Sequence, residues 1–216
     1  MGTPEFAVAS LDAIIKAGHD VAAVVTMPDK PAGRGQKIQK SAVKLYAEEH
    51  GLKILQPEKL KDEAFINELR EINADIQVVV AFRMLPEIVW NMPPKGTYNV
   101  HGSLLPCYRG AAPINWAIMN GDEVTGVTTF KLTHDIDTGD IALQRHVFIE
   151  STDDAGTIHD RLMKEGAIAI VETLDLLEKN ELPLQPQSTK NVPAHRLAAP
   201  KIFKEDMKIK EYIRNH

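Results

Sequence analysis

The chain has 216 residues, 44% hydrophobic and 25% charged, the balance of an ordinary globular protein with room for one full domain and a short appendage. Its formal net charge of −5 argues against a generic nucleic-acid binder, which must neutralise phosphates, and no apolar run approaches the roughly 18 residues of a membrane span. Its one cysteine, Cys107, cannot form an internal disulfide, which fits a reducing cytoplasmic compartment.

The opening residues read as a helix entered almost at once. Thr3 is placed to cap it, Pro4 suits the first helical position, Val8, Leu11 and Ile15 recur at helical steps, and Gly18 stops it. The almost continuously apolar residues 21–26 predict a buried parallel strand. Residues 27–40 hold two prolines, two glycines and four basic side chains against one aspartate, a content that predicts a solvated loop and neither helix nor strand. On spacing alone two readings of it stay open: an inert surface segment, or one whose Lys30, Arg34, Lys37 and Lys40 grip RNA phosphates. Ser41 is placed to cap a helix that Gly51 ends, residues 52–55 make a short strand, and Asp62 caps a helix with Phe65, Leu69 and Ile72 on one face. Residues 76–81 are the clearest buried strand. The turn after them, residues 82–86, should face a crevice at the carboxyl ends of the strands, where open α/β sheets bind ligands.

Tyr98 and Val100 then predict a strand in which Asn99 and His101 point the same way, a donor beside a titratable base. Gly102, Pro106, Gly110 and Pro113 follow, a spacing of breakers that excludes regular structure and calls for a fixed, shaped loop. Cys107 lies in that loop as a minor candidate nucleophile. A short helix at 114–120 and a turn at Gly121 and Asp122 lead to two strands, 127–131 and 141–149, joined by an acidic turn with His134, Asp135, Asp137 and Asp140. A calcium loop is disfavoured there, because no glycine holds the sixth position and no glutamate the twelfth; a plain acidic hairpin or a catalytic carboxylate remains. Residues 153–178 predict a long helix burying Ile158, Leu162, Ile168, Val171, Leu174 and Leu177, with Gly166 a modest interruption. Pro183, Pro186, Pro193 and Pro200 mark an irregular strap beyond it. From 190 to 216 seven basic residues face three acidic ones, a local charge of +4, so a polyanion contact should sit in a loop or near this tail.

The run Asn-x-His-x-Ser-Leu-Leu-Pro from Asn99, continued by Tyr108, Arg109, Gly110, Ala111, Ala112 and Pro113, resembles the signature of formyltransferases that use 10-formyltetrahydrofolate. The P-D-K-P-A-G-R-G loop and the A-P-K-I-F-K-E-D tail are similar to the methionyl-tRNA formyltransferases among them, and the resemblance covers nearly the whole chain. It implies an α/β fold, a Rossmann-like and mostly parallel sheet flanked by helices, with a catalytic domain at 1–189 and a basic strap at 190–216 leading toward a carboxyl-terminal barrel that this sequence lacks. The family's first strand, which normally precedes Met-Gly-Thr-Pro-Glu-Phe, is also expected to be missing, leaving a gap in the sheet.

What the resemblance implies for function is transfer of a formyl group from 10-formyltetrahydrofolate to the amino group of methionyl initiator tRNA, by a monomer without a metal. It carries catalytic roles onto Asn99, His101 and, through the Asp-Thr-Gly turn, Asp137. It carries the folate pocket onto Phe82, Arg83, Met84 and Leu85 and onto Ser103, Leu104, Leu105 and Pro106, and the acceptor-arm contacts onto the basic loop, where Arg34 matches the family's arginine. Asn99 and His101 would meet the oxygen of a tetrahedral intermediate while Asp137 takes the amine's proton and favours a protonated neighbour. An amino sugar nucleotide or glycinamide ribonucleotide would be an alternative acceptor and water a weaker one; a truncated, noncatalytic folate-binding remnant is the reading from a different class.

Overall fold

Short apolar runs alternating with amphipathic helices fold into a helix-flanked sheet whose parallel half comes from the front of the chain and whose antiparallel half carries the acidic turn. The computed structural model describes residues 1–32 and 37–203. In chain order the elements are α1 Glu5–Lys16, β1 Val24–Val25, β2 Lys30–Ala32, β3 Lys37–Gln39, α2 Ala42–Glu49, β4 Ile54–Leu55, α3 Glu63–Ile72 and β5 Gln77–Val80. They continue with α4 Glu87–Trp90, β6 Thr97–His101, β7 Arg109–Gly110, α5 Pro113–Met119, β8 Val124–Lys131, β9 Ile141–Phe148, α6 Ala155–Glu178 and β10 Ala198–Ala199.

The main sheet has the order β5-β6-β8-β9, with β5 and β6 parallel and the β6/β8 and β8/β9 pairs antiparallel. A second parallel pair, β1-β4, lies beside it. Among the described residues Met1 and Gly2 bridge the two: the Gly2 amide donates to Val25 at 3.0 Å, and the Val80 amide donates to the Met1 carbonyl at 2.9 Å. Beside this bridge lies a cleft of about 740 Å³ lined by Leu11, Ile14, Val21, Val24, Ile76 and Val78, at the amino ends of β1 and β5. The predicted strand 21–26 shortens to Val24–Val25, and residues 21–23 border the cleft.

The Met1 nitrogen donates to the Val78 carbonyl at 2.6 Å.

Helix α6 covers the sheet. Asp154 caps it in a reciprocal box with Thr157, and its buried stripe runs through Ile158, Leu162, Gly166, Ile170 and Leu174. Ile168, expected inside, is 44% exposed. The stripe advances in steps of four through Gly166, whose missing side chain hides the period in the sequence. That glycine sets how close helix and sheet approach, since a Cβ there would lie 2.9 Å from Val100 Cγ1 and 3.3 Å from Phe6 Cε1. The caps expected at Ser41 and Asp62 form, whereas α1 is capped by Pro4 and not through the Thr3 side chain.

Two segments expected to lack regular structure have some. Residues 30–32 and 37–39 pair antiparallel as β2 and β3, with Lys30 opposite Gln39 and Pro31 opposite Ile38. Pro31 is tolerated because this sheet is only two strands wide and its other edge needs no donor. Its base is fixed by Asp29, which bonds Lys44 at 2.5 Å and Gln56 at 2.9 Å. The Lys44 bond, then the Gln56 bond, holds the Asp29 carboxyl below the usual carboxylate range. In the signature loop, β7 pairs in parallel with β10, so the strap is bonded to the loop: Tyr108 and Arg109 amides donate to Arg196 and Leu197, and Ala111 and Ala112 to Ala199.

Candidate active site

Thr97, Asn99 and His101 alternate with the core residues Tyr98 and Val100 along β6, which places all three on the face away from that core. Asn99 is half-buried, and among the described residues its side chain makes no hydrogen bond, so its amide is available to a ligand. His101 closes the strand, opposite Thr128 of β8. Because β8 runs antiparallel to β6 and then turns into β9, the acidic turn is carried back over this strand end.

That topology brings together two side chains 36 positions apart in sequence. His101 Nδ1 faces Asp137 Oδ2 at 3.7 Å, and both side chains are nearly buried. The other ring nitrogen, Nε2, lies 2.8 Å from the Tyr108 carbonyl oxygen. A carbonyl only accepts, so Nε2 carries a proton and donates. The neutral ring then presents the Nδ1 lone pair to the carboxylate, and the protonated ring presents an N–H. At 3.7 Å the pair is too far apart for a direct hydrogen bond and close enough for one amine or water, lying to the side, to bond both. Asp137 is held from the other side by the Gly110 amide, which donates to Oδ2 at 2.8 Å.

The pair rests on buried supports. Tyr108, at φ 59°, turns the loop so that its carbonyl reaches His101 while its hydroxyl donates to Asp122 at 2.7 Å. Burial first, and then the Asp122 bond, pushes that phenol up to about 12, so it stays a donor at neutral pH. Arg196 in the strap pairs with the same Asp122. Cys107 is a poor nucleophile here: burial pushes its thiol up, away from the reactive thiolate.

The residues expected to form the folate pocket divide. Phe82 is half-buried, Met84 is 72% exposed, and Leu85 is packed in the second core cluster with Val79 and Val89. Arg83 turns away to donate to the carbonyls of Pro57 and Glu58. These four follow β5, whose end lies beside the end of β6 through the Val80 and Val100 pairing. Around Ser103, Leu104, Leu105 and Pro106, the backbone groups expected to read a ligand are largely used internally. Thr128 Oγ1 donates to Ser103 O at 2.7 Å and accepts from Leu105 N at 3.0 Å, while Gln144 Nε2 donates to Leu105 O at 2.8 Å. The physical reason is burial, since a loop this enclosed must satisfy its own amides.

Of the basic residues, Lys30 is exposed at the start of β2, and Lys40 is engaged by Glu48 at 2.8 Å. Lys37 begins β3, and Arg34 lies outside the described residues. Asp135 and His134 are both exposed at the tip of the acidic turn. The sequence reading missed the Tyr108 carbonyl and the Gly110 amide, because backbone groups leave no residue-type signal. Among the described residues no helix is long and apolar enough to cross a membrane.

Residues 1–174 match the family described as formyl transferase. The chain is 61% identical over 207 residues to a methionyl-tRNA formyltransferase of Parabacteroides distasonis, covering 95% of this chain and 64% of that protein. It is 56% identical over 209 residues to one from Bacteroides fragilis, covering 97% and 64%. It thus spans about 64% of the length of these curated relatives. Among solved structures, glycinamide ribonucleotide transformylase 1 from Symbiobacterium toebii superposes with a TM-score of 0.72 at 19% identity, over 87% of this chain and 92% of that one. WlaRD, a sugar 3N-formyl transferase in the presence of dTDP and 5-N-formyl-THF, gives 0.66 at 25% identity, over 89% and 66%.

Proposed function

The chain belongs to the formyl transferase family, and we propose that it moves the formyl group of 10-formyltetrahydrofolate onto the amino group of methionyl initiator tRNA, in the cytoplasm, for translation initiation. The single observation that carries the chemistry is the His101 and Asp137 pair facing each other across 3.7 Å at the end of the strand that also carries Asn99.

The amine nitrogen attacks the formyl carbon, and the carbonyl oxygen becomes an oxyanion. Asn99 Nδ2 and a protonated His101 Nδ1 are the donors for that oxygen, placed on one strand face before the reaction begins. Asp137 accepts the proton that the attacking amine sheds, directly or through one water. The bond from the formyl carbon to folate N10 then breaks, N10 takes up one proton, and tetrahydrofolate leaves. The residues needed are side chains and backbone amides of this chain, and the chemistry is proton transfer and charge stabilisation.

The folate donor is supported by family membership and by the formyl-folate in the WlaRD structure. Phe82 to Leu85 and Ser103 to Pro106 flank the ends of β5 and β6 and form the proposed walls of its site, Leu104 and Leu105 as apolar surface. The acceptor rests on the high identity to methionyl-tRNA enzymes and on the basic segment 30–40, whose Lys30, Arg34, Lys37 and Lys40 would meet tRNA phosphates. In this reading residues 1–189 and the strap bonded to them act as one catalytic unit.

With 10-formyltetrahydrofolate as donor, methionyl-tRNA should be formylated with a kcat/KM at least about 10²-fold above that for amino sugar nucleotides or glycinamide ribonucleotide. A preference for either small acceptor would overturn the assignment.

A further inference from the structure

We infer that Gln187, in the proline-rich strap, is a positioning residue that locks the catalytic carboxylate turn onto the signature loop; the inference rests on the formyl-transfer reading above. Its side-chain amide is used completely. Nε2 donates to the carbonyls of Asp137 at 2.9 Å and Gly139 at 2.8 Å, and Oε1 accepts from Arg109 Nε at 3.1 Å and from Arg109 Nη2 at 2.6 Å. Rotating the amide by half a turn would set NH₂ against a guanidinium and oxygen against two carbonyls, so its orientation is fixed by its neighbours.

Each partner of Gln187 leads directly to the reacting pair. Arg109 lies between Tyr108, whose carbonyl holds His101 Nε2, and Gly110, whose amide holds Asp137 Oδ2. Asp137 itself sits at φ 52°, in the left-handed region that non-glycine residues adopt only when their surroundings hold them there. The neighbouring backbone bond from Ile141 N to the Gln185 carbonyl, at 2.8 Å, fixes the strap against the end of the same turn. Gln187 therefore acts as a bracket between two loops that no regular element joins at this point. It touches neither of the two reacting side chains, and it acts through the backbone that carries Asp137 and through Arg109.

Gln187→Ala removes all four bonds, and Gln187→Glu keeps the bond to Arg109 while turning negative oxygen toward two carbonyls. Both variants should fold, with kcat for formyl transfer down about 10- to 100-fold and each KM within about threefold. Hydrogen exchange at the Gly110 amide should accelerate in both variants while amides of α6 stay protected. In an Asp137→Asn background the same Gln187 substitutions should cost almost nothing further, a readout that a merely structural role would not produce. Unchanged kcat, or an equal loss with and without Asp137, would overturn the bracket. If the wild-type chain transfers formyl to no acceptor yet Gln187→Ala still loosens Gly110, the bracket stands and the formyl-transfer reading falls.

Discussion

Asp137→Asn should lower kcat for formyl transfer by about 10³-fold, with KM for the folate donor within about threefold of wild type. Asparagine has the same shape, and its oxygen can still accept the Gly110 amide that now reaches Asp137 Oδ2 at 2.8 Å. The turn therefore stays where it is. What goes is the acceptor for the amine's proton and the charge facing His101 at 3.7 Å. Steady-state kinetics with donor and acceptor varied separately checks this; a variant with near-normal kcat would remove Asp137 from the chemistry.

A large effect is also expected at a residue with no side chain. A Cβ at Gly139 would lie 1.7 Å from the Lys131 carbonyl oxygen, in the backbone of β8, with Thr133 Cγ2 at 3.3 Å behind it. Neither can yield without opening the neck of the turn, where Lys131 N donates to Asp140 O at 3.0 Å. Gly139→Ala should therefore destabilise the fold by about 2–3 kcal/mol. It should also reduce kcat by about 10²-fold in the protein that remains folded, because a displacement near 1 Å in a catalytic group is enough for that loss. Urea unfolding and activity per folded molecule separate the two. A variant with wild-type stability would show that the contact relaxes freely.

Much of the fold was legible because burial writes itself as periodicity. Residues 76–81 and the alternation around Tyr98 and Val100 announced their strands, and Ser41 and Asp62 announced their helices, through patterns that local physics enforces. The failures share a cause, which is structure maintained by something other than side-chain type. Gly166 broke the visible stripe of α6 and so put Ile168 inside where Ile170 belongs. The two prolines and two glycines of residues 27–40 predicted a loop, although the two-stranded β2/β3 pair leaves an edge where Pro31 costs no ladder bond.

At the site, Asn99, His101 and Asp137 were visible as residue types and as a motif, and the structure brings the last two face to face. Their geometry was not visible. The atoms that orient His101 and Asp137 are a carbonyl at Tyr108 and an amide at Gly110, and every residue has both groups. Gln187 was equally hidden, a common side chain between Pro186 and Ser188 in a strap with no period to read. Its importance comes from where the antiparallel pair β8 and β9 drops the acidic turn, which is a long-range consequence of sheet order.

In the proposed reaction His101 and Asp137 work as one unit, and a double-mutant cycle on kcat tests that directly. His101→Ala, Asp137→Asn and the double variant should be compared in formylation of methionyl-tRNA under saturating donor. If the two side chains share one step, the double variant will be no more than about threefold slower than the slower single variant. Losses that multiply would mean that imidazole and carboxylate act independently, and the facing pair would then not be the catalytic centre.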